Sequence, residues 1–197
     1  MIDLKGYEDV QPVTPGEFPK LPAGGYVCQI IHADLTKSKA DNPMLVLYID
    51  IAEGDFTGYF KDSSSRVKSF RSDSKWDNSG IYRQLIFDKD GNTSRFFKGL
   101  ITCIQKSNPI FAFNPRAFDE QKLRGLYLGC LFAEEEYERK DATIGTRLFI
   151  KFPKTVDDIR SGNFSVPELK KLPATVPAPS KQDDWGGTPV SNDDIPF

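Results

Sequence analysis

Met44-Leu45-Val46-Leu47-Tyr48-Ile49-Asp50-Ile51 alternates without a break. Leu45, Leu47, Ile49 and Ile51 fall on one side, Met44, Val46, Tyr48 and Asp50 on the other. A period of two is that of a strand with one face in a core, so the Leu/Ile side is expected to point inward. Upstream, beyond a polar break at Lys37 to Pro43, Gly24-Gly25 introduces a second β-rich run, Tyr26 to Leu35. Downstream, Glu53-Gly54-Asp55 reads as a turn and Phe56 to Lys61 as a hairpin partner. Three more strands are expected: Ile81 to Phe87, Leu126 to Phe132 with the acidic run Glu134 to Glu138 extending it, and Thr146 to Phe152. In the last, Leu148, Ile150 and Phe152 share one face and Arg147, Phe149 and Lys151 the other, and Pro153 ends it.

One helix interrupts this pattern. Thr93 or Ser94 caps it, Phe96, Phe97, Leu100, Ile101 and Ile104 share one face, Lys106 sits in the last turn and Asn108-Pro109 stops it. Counting the hairpin partner with its neighbour, the order is three strands, a helix, then two strands. That order fits a five-stranded Greek-key barrel with one helix between strands 3 and 4, the OB-fold pattern, and it also fits an α+β sandwich. Periodicity does not separate the two. Residues 1–23, with prolines at 12, 15, 19 and 22, read as an extended arm; 24–172 as the β domain, with Val156 to Leu172 strapping back over it; and 173–197 as a flexible linker and tail.

Charge is unevenly placed. The net charge of −2 divides into a tail from Pro173 onward at −3, through Asp183, Asp184, Asp193 and Asp194 against Lys181, and a body near +1. Any affinity of the body for nucleic acid must therefore come from a local patch. No run of 18 apolar residues is present, so no membrane partner is expected. The first residues lack a basic region followed by an apolar stretch, which favours a cytoplasmic location. Cys28, Cys103 and Cys130 are far apart and read as buried free thiols; with His32 the only histidine, a zinc site lacks ligands. Asp88-Lys89-Asp90-Gly91-Asn92 is a turn rather than a calcium loop, because its glycine stands fourth and Gly99 takes the place of the bidentate glutamate. Glu134, Glu135, Glu136 and Glu138 read as a solvated acidic edge. No phosphate-binding loop, zinc-protease or nucleophile-elbow motif is present. Neither a cofactor, nor a metal, nor an enzymatic activity is expected.

Single-stranded DNA is held by aromatic faces that stack on bases and by cations that meet phosphates. Two stretches mix these residue types. The first comprises Arg66, Lys68, Phe70, Arg71, Lys75, Trp76, Tyr82 and Arg83. The second is Arg147, Phe149 and Lys151 with Arg139 and Lys140 in the preceding turn, and Tyr48 and Tyr59 are candidates to join them. The chain closes on Asp193, Asp194, Ile195, Pro196 and Phe197. Proline keeps this end extended, and a terminal Phe carrying its own carboxylate suits a partner pocket with an apolar floor and a basic lip.

That ending resembles the acidic tip of bacterial and phage single-stranded-DNA-binding proteins. The resemblance implies an OB-fold body that coats the strand and a tip that recruits replication, repair and recombination enzymes. Three further segments are similar to a family of phage- and prophage-encoded replication-module proteins of Gram-positive hosts. These are Lys20-Leu21-Pro22-Ala23-Gly24-Gly25-Tyr26, Asp50-Ile51-Ala52-Glu53-Gly54 and Phe96-Phe97-Lys98-Gly99-Leu100-Ile101. This similarity spans about residues 15–170 and implies a DNA-replication role in a bacterial host cell, with a homo-oligomer possible. A linker of about twenty flexible residues gives the tip an r.m.s. reach of roughly 25 Å. The alternative is an interaction protein without DNA affinity, whose tip mimics the host's and occupies replication or nuclease pockets.

Overall fold

The computed structural model describes residues 20–70 and 75–173, excepting the side chains of 66–70. Most of the expected arm, Arg71, the tail with Trp185 and the Asp193–Phe197 tip lie outside the described residues, as do the side chains of Arg66, Lys68 and Phe70. The strands are β1 (Gly24–Lys37), β2 (Pro43–Ile51), β3 (Ile81–Leu85), β4 (Tyr127–Glu138) and β5 (Ile144–Lys154). The helices are α1 (Tyr59–Phe70), α2 (Arg95–Ser107) and the short α3 (Val156–Arg160). All strand pairs are antiparallel, in the order β3-β2-β1-β4-β5. The outer strands β3 and β5 approach one another, and α2 touches β3, β4 and β5. Among the described residues no helix is long and apolar enough to cross a membrane.

The alternation of β2 sets the inside. Leu45, Leu47, Ile49 and Ile51 are buried, facing Ile30, Cys28 and Ala33 of β1, Leu128, Cys130 and Phe132 of β4, and Phe97, Leu100, Ile101 and Ile104 of α2. Each such side chain contributes about 1.5–3 kcal/mol by leaving water. Ser94 precedes α2 and Asn108 closes it, donating from Nδ2 to the carbonyls of Ile104 and Tyr127.

The segment expected as a hairpin partner is instead a turn and the start of α1. Asp50, buried at the end of β2, accepts the backbone N–H of Phe60 at 2.9 Å. Phe60 drops into the core and stacks on Phe132 with ring centroids 6.0 Å apart. Ser63, Ser64 and Ser65 have little helical preference, so tertiary contacts of this kind hold the helix.

Two β-bulges reset the registers. In β1, Ile30 faces Ile49 and His32 faces Tyr48, leaving Ile31 as the extra residue. In β5, Phe152 faces Leu131 and Ile150 faces Phe132, leaving Lys151 unpaired. The extra residue breaks the alternation. Leu148 and Ile150 point inward as expected, but Phe152 is 47% exposed, a correction to its expected core position. Phe96 is corrected likewise: at 74% exposed it lies off the Phe97-Leu100-Ile101-Ile104 stripe. Pro153 does not end β5, which runs on to Lys154; an edge strand tolerates the missing donor.

The strap is present. Val156 and Ile159 of α3 and Phe164 cover the outer face of β1 and β4 around Val27. The chain then returns to Lys170, whose backbone exchanges hydrogen bonds with Glu134 and Glu136, on the margin of β4 that β1 leaves unpaired. Leu21, at the end of the expected arm, is buried in the core, and Lys20 pairs with Glu134 at 2.7 Å.

Candidate nucleic-acid interface

Several of the sequence-derived candidates fall on three surfaces, while Tyr59 and Trp76 pack against the core. Tyr48 and Arg83 share the outer face of β1-β2-β3, because Tyr48 pairs with His32 across one ladder and Arg83 with Val46 across the other. The rings of His32 and Tyr48 lie 5.6 Å apart, and His32 Nε2 is 2.9 Å from Asp34. Arg83 Nη2 donates to Asn78 at 3.0 Å.

At the far end of the β4-β5 hairpin, Arg139 and Lys140 are exposed in the turn. Arg147 donates from Nε to Glu135 at 2.7 Å and lies over the Tyr137 ring, so its charge is matched locally. Phe149 is half-buried opposite Ala133. Lys75 is exposed. Tyr59 belongs to an aromatic chain running from Phe56 to Phe60, and its hydroxyl accepts from the Leu21 N–H. Trp76 is half-buried against Phe60 and Gly80, with its indole nitrogen buried and without a partner among the described residues.

The third surface brings the two stretches together. Tyr82 pairs with Leu47 on the core side of β3. Burial pushes its hydroxyl up to about 12, with Cys130 and Cys103 adding to the shift. One edge of Tyr82 remains open to a groove of about 340 Å³ between α2 and β5. Arg95, Phe96, Gly99, Leu100 and Cys103 form one wall, and Lys151, Phe152 and Pro153 the other. Lys151 Nζ lies 5.6 Å from the Phe152 ring centroid.

The groove's lining thus holds three aromatic rings and two cations and no carboxylate, on a body whose formal charge is near +1. α2 itself carries Arg95, Lys98 and Lys106 and no acidic residue. Apolar rings exposed beside cations that no carboxylate of the described residues pairs with form the combination that unstacked bases and their phosphates require. A second cleft of about 450 Å³, at the other end of α2, contrasts with it: Lys106 and Arg160 are balanced there by Glu53 and Asp157. Arg160 donates to both Glu53 oxygens, which holds the Glu53 carboxyl below its usual range.

Of the sequence-derived candidates, the groove unites Tyr82 and Lys151. Sequence reading missed Arg95, Phe96 and Phe152. For Phe96 a signal existed, since it lies one residue, about 100°, from Phe97 on the helix. For Phe152 there was none, because the bulge that turns it outward exists only in the pairing with β4.

The chain matches no protein-family model and no curated protein.

Proposed function

We propose that this chain is a single-stranded-DNA-binding protein of phage or prophage DNA replication or recombination, with an OB-like body that grips the strand and an acidic tip that recruits partner enzymes. The observation that carries the reading is the α2-β5 groove. Residues far apart in sequence, Tyr82 and Lys151, meet there with Arg95, Phe96 and Phe152, and among the described residues no carboxylate lines the groove. The β order and the helix between β3 and β4, lying against both outer strands, support an OB-like arrangement. The Asp193-Asp194-Ile195-Pro196-Phe197 ending supports recruitment through the tip.

The test is a titration of Trp76 and Trp185 fluorescence with oligo-dT at two salt concentrations. A DNA binder quenches and weakens steeply with salt, because neutralised phosphates release counterions. Removing residues 192–197 leaves oligo-dT affinity unchanged or raises it. No quenching at either salt concentration, or lost binding on truncation, overturns the reading.

One observation favours the alternative of a tip-mimicking interaction protein. Several of the body's cations are matched by carboxylates: Lys20 by Glu134, Lys37 by Asp41, Arg147 by Glu135 and Arg160 by Glu53. A salt-insensitive, unquenched titration decides for it.

A further inference from the structure

The groove contains a glycine that the fold does not require. Gly99 stands in the middle of α2 and lines the groove wall between Phe96 and Cys103. Glycine is unfavourable inside a helix, because its backbone has the most freedom to lose. Close packing is the usual compensation. Gly129 has it: a Cβ there would fall 2.5 Å from the Thr155 carbonyl oxygen. Gly99 has none, and a Cβ there meets nothing within 4 Å. Its absent side chain leaves a strip of bare helix backbone facing the groove.

The neighbouring side chains are equally unexplained by packing. Phe96 is 74% exposed and Phe152 47%, and each costs solvation that the core does not recover. They stand on opposite walls, Phe96 on α2 and Phe152 on β5, and the bare backbone at Gly99 lines the groove on the α2 side. Lys151 lies beside the Phe152 ring, and Arg95, next to Phe96 in sequence, lines the same groove. This is the layout of a slot for a flat, apolar-faced group attached to an anionic chain.

We infer that the groove holds one nucleobase of a bound strand, lying against the α2 backbone at Gly99 between Phe96 and Phe152, with flanking phosphates at Arg95 and Lys151. The inference rests on the single-stranded-DNA reading and narrows it to one site. A base reaches the slot only when unstacked, so the slot discriminates against duplex. Every base has a π-face, so it is tolerant of sequence.

The experiment uses the full chain and fluorescein-labelled oligo-dT, followed by anisotropy, with Gly99→Ala, Gly99→Leu and Phe96→Ala variants. Thermal melting is read in parallel. Gly99→Ala raises the melting temperature by about 2–4 °C, as removal of a mid-helix glycine does in a chain of this size, yet weakens oligo-dT binding. Gly99→Leu weakens it further. Phe96→Ala, which removes an exposed ring and leaves the core intact, weakens binding about fivefold or more. An abasic strand of the same length binds more weakly and does not distinguish Phe96→Ala from wild type.

Wild-type binding to oligo-dT with Gly99→Leu and Phe96→Ala binding equally tightly overturns the slot and leaves the broader reading standing. An abasic strand that binds as tightly as oligo-dT and is equally sensitive to Gly99→Leu overturns the base as occupant. Binding of a labelled Asp193–Phe197 peptide that Phe96→Ala abolishes, with oligo-dT unaffected by that variant, assigns the groove to an acidic peptide and overturns the inference. Absence of any wild-type oligo-dT binding overturns both readings.

Discussion

Asp50 shows how one polar side chain organises a neighbourhood. It lies on the non-core side of β2, is 4% exposed, and accepts from the N–H groups of Phe60 and Ile51, each at 2.9 Å. Burial pushes its carboxyl up, and the N–H groups of Phe60, Ile51 and Lys61 pull against that shift. Those of Phe60 and Lys61 belong to the first turn of α1, where a carboxylate is favoured by the helix dipole. Asp50→Ala is expected to cost about 1–3 kcal/mol in urea denaturation, because buried donors lose their acceptor. Tyr82 makes a prediction in pH. Its hydroxyl stays neutral in the folded chain up to about 12, whereas the ordinary value is 10.0. The unfolded chain therefore releases this proton first. The stability so contributed is fully present below pH 10 and is lost as pH rises from there through about 12. Tyrosinate absorbance is expected to show a late-titrating step that Tyr82→Phe removes.

The strap depends on glycines for its seat. Gly129 of β4 lies beneath α3, where a Cβ would fall 2.5 Å from the Thr155 oxygen and 2.7 Å from Ile159 Cγ1. At Gly25, the Phe164 ring comes equally close. Gly129→Ala places a methyl against backbone that has no room to yield, unlike the ring of Phe164. Overpacking of this kind costs about 1–3 kcal/mol. The expected result is lower stability in urea together with faster protease cleavage beyond residue 155, as the strap lifts off Val27. Unchanged protection of that segment would show the strap to be held chiefly by the Glu134-Lys170-Glu136 ladder.

For the molecule as a whole, the decisive quantity is where unopposed charge lies. A body near neutrality binds a polyanion only through cations that carboxylates do not already match. Arg95 and Lys151 rim the groove, whereas Arg147 is bound to Glu135. Replacing both Arg95 and Lys151 by Gln is expected to lower the slope of log affinity against log salt by about 1.4, at about 0.7 per phosphate lost. Arg147→Gln is expected to leave that slope nearly unchanged. Oligo-dT titrations at several salt concentrations check both.

Much of this protein is local, and what is local can be read along the chain. The alternation in Leu45 to Ile51 and the Phe97-Leu100-Ile101-Ile104 stripe declare their buried sides, because side-chain direction follows a period of two or of 3.6. Hence the five strands, and a helix between the third and fourth, are visible in residue order alone. α1 is not, because its serines have little helical preference and its stability comes from Asp50 and Phe60, whose partners are distant in sequence. The groove is not, because Phe152 faces outward through a bulge defined only against β4. Register is a relation between two strands, and burial is a relation among many residues. Neither is a property of any single segment, so only the folded chain brings Tyr82, Phe96 and Phe152 to one place.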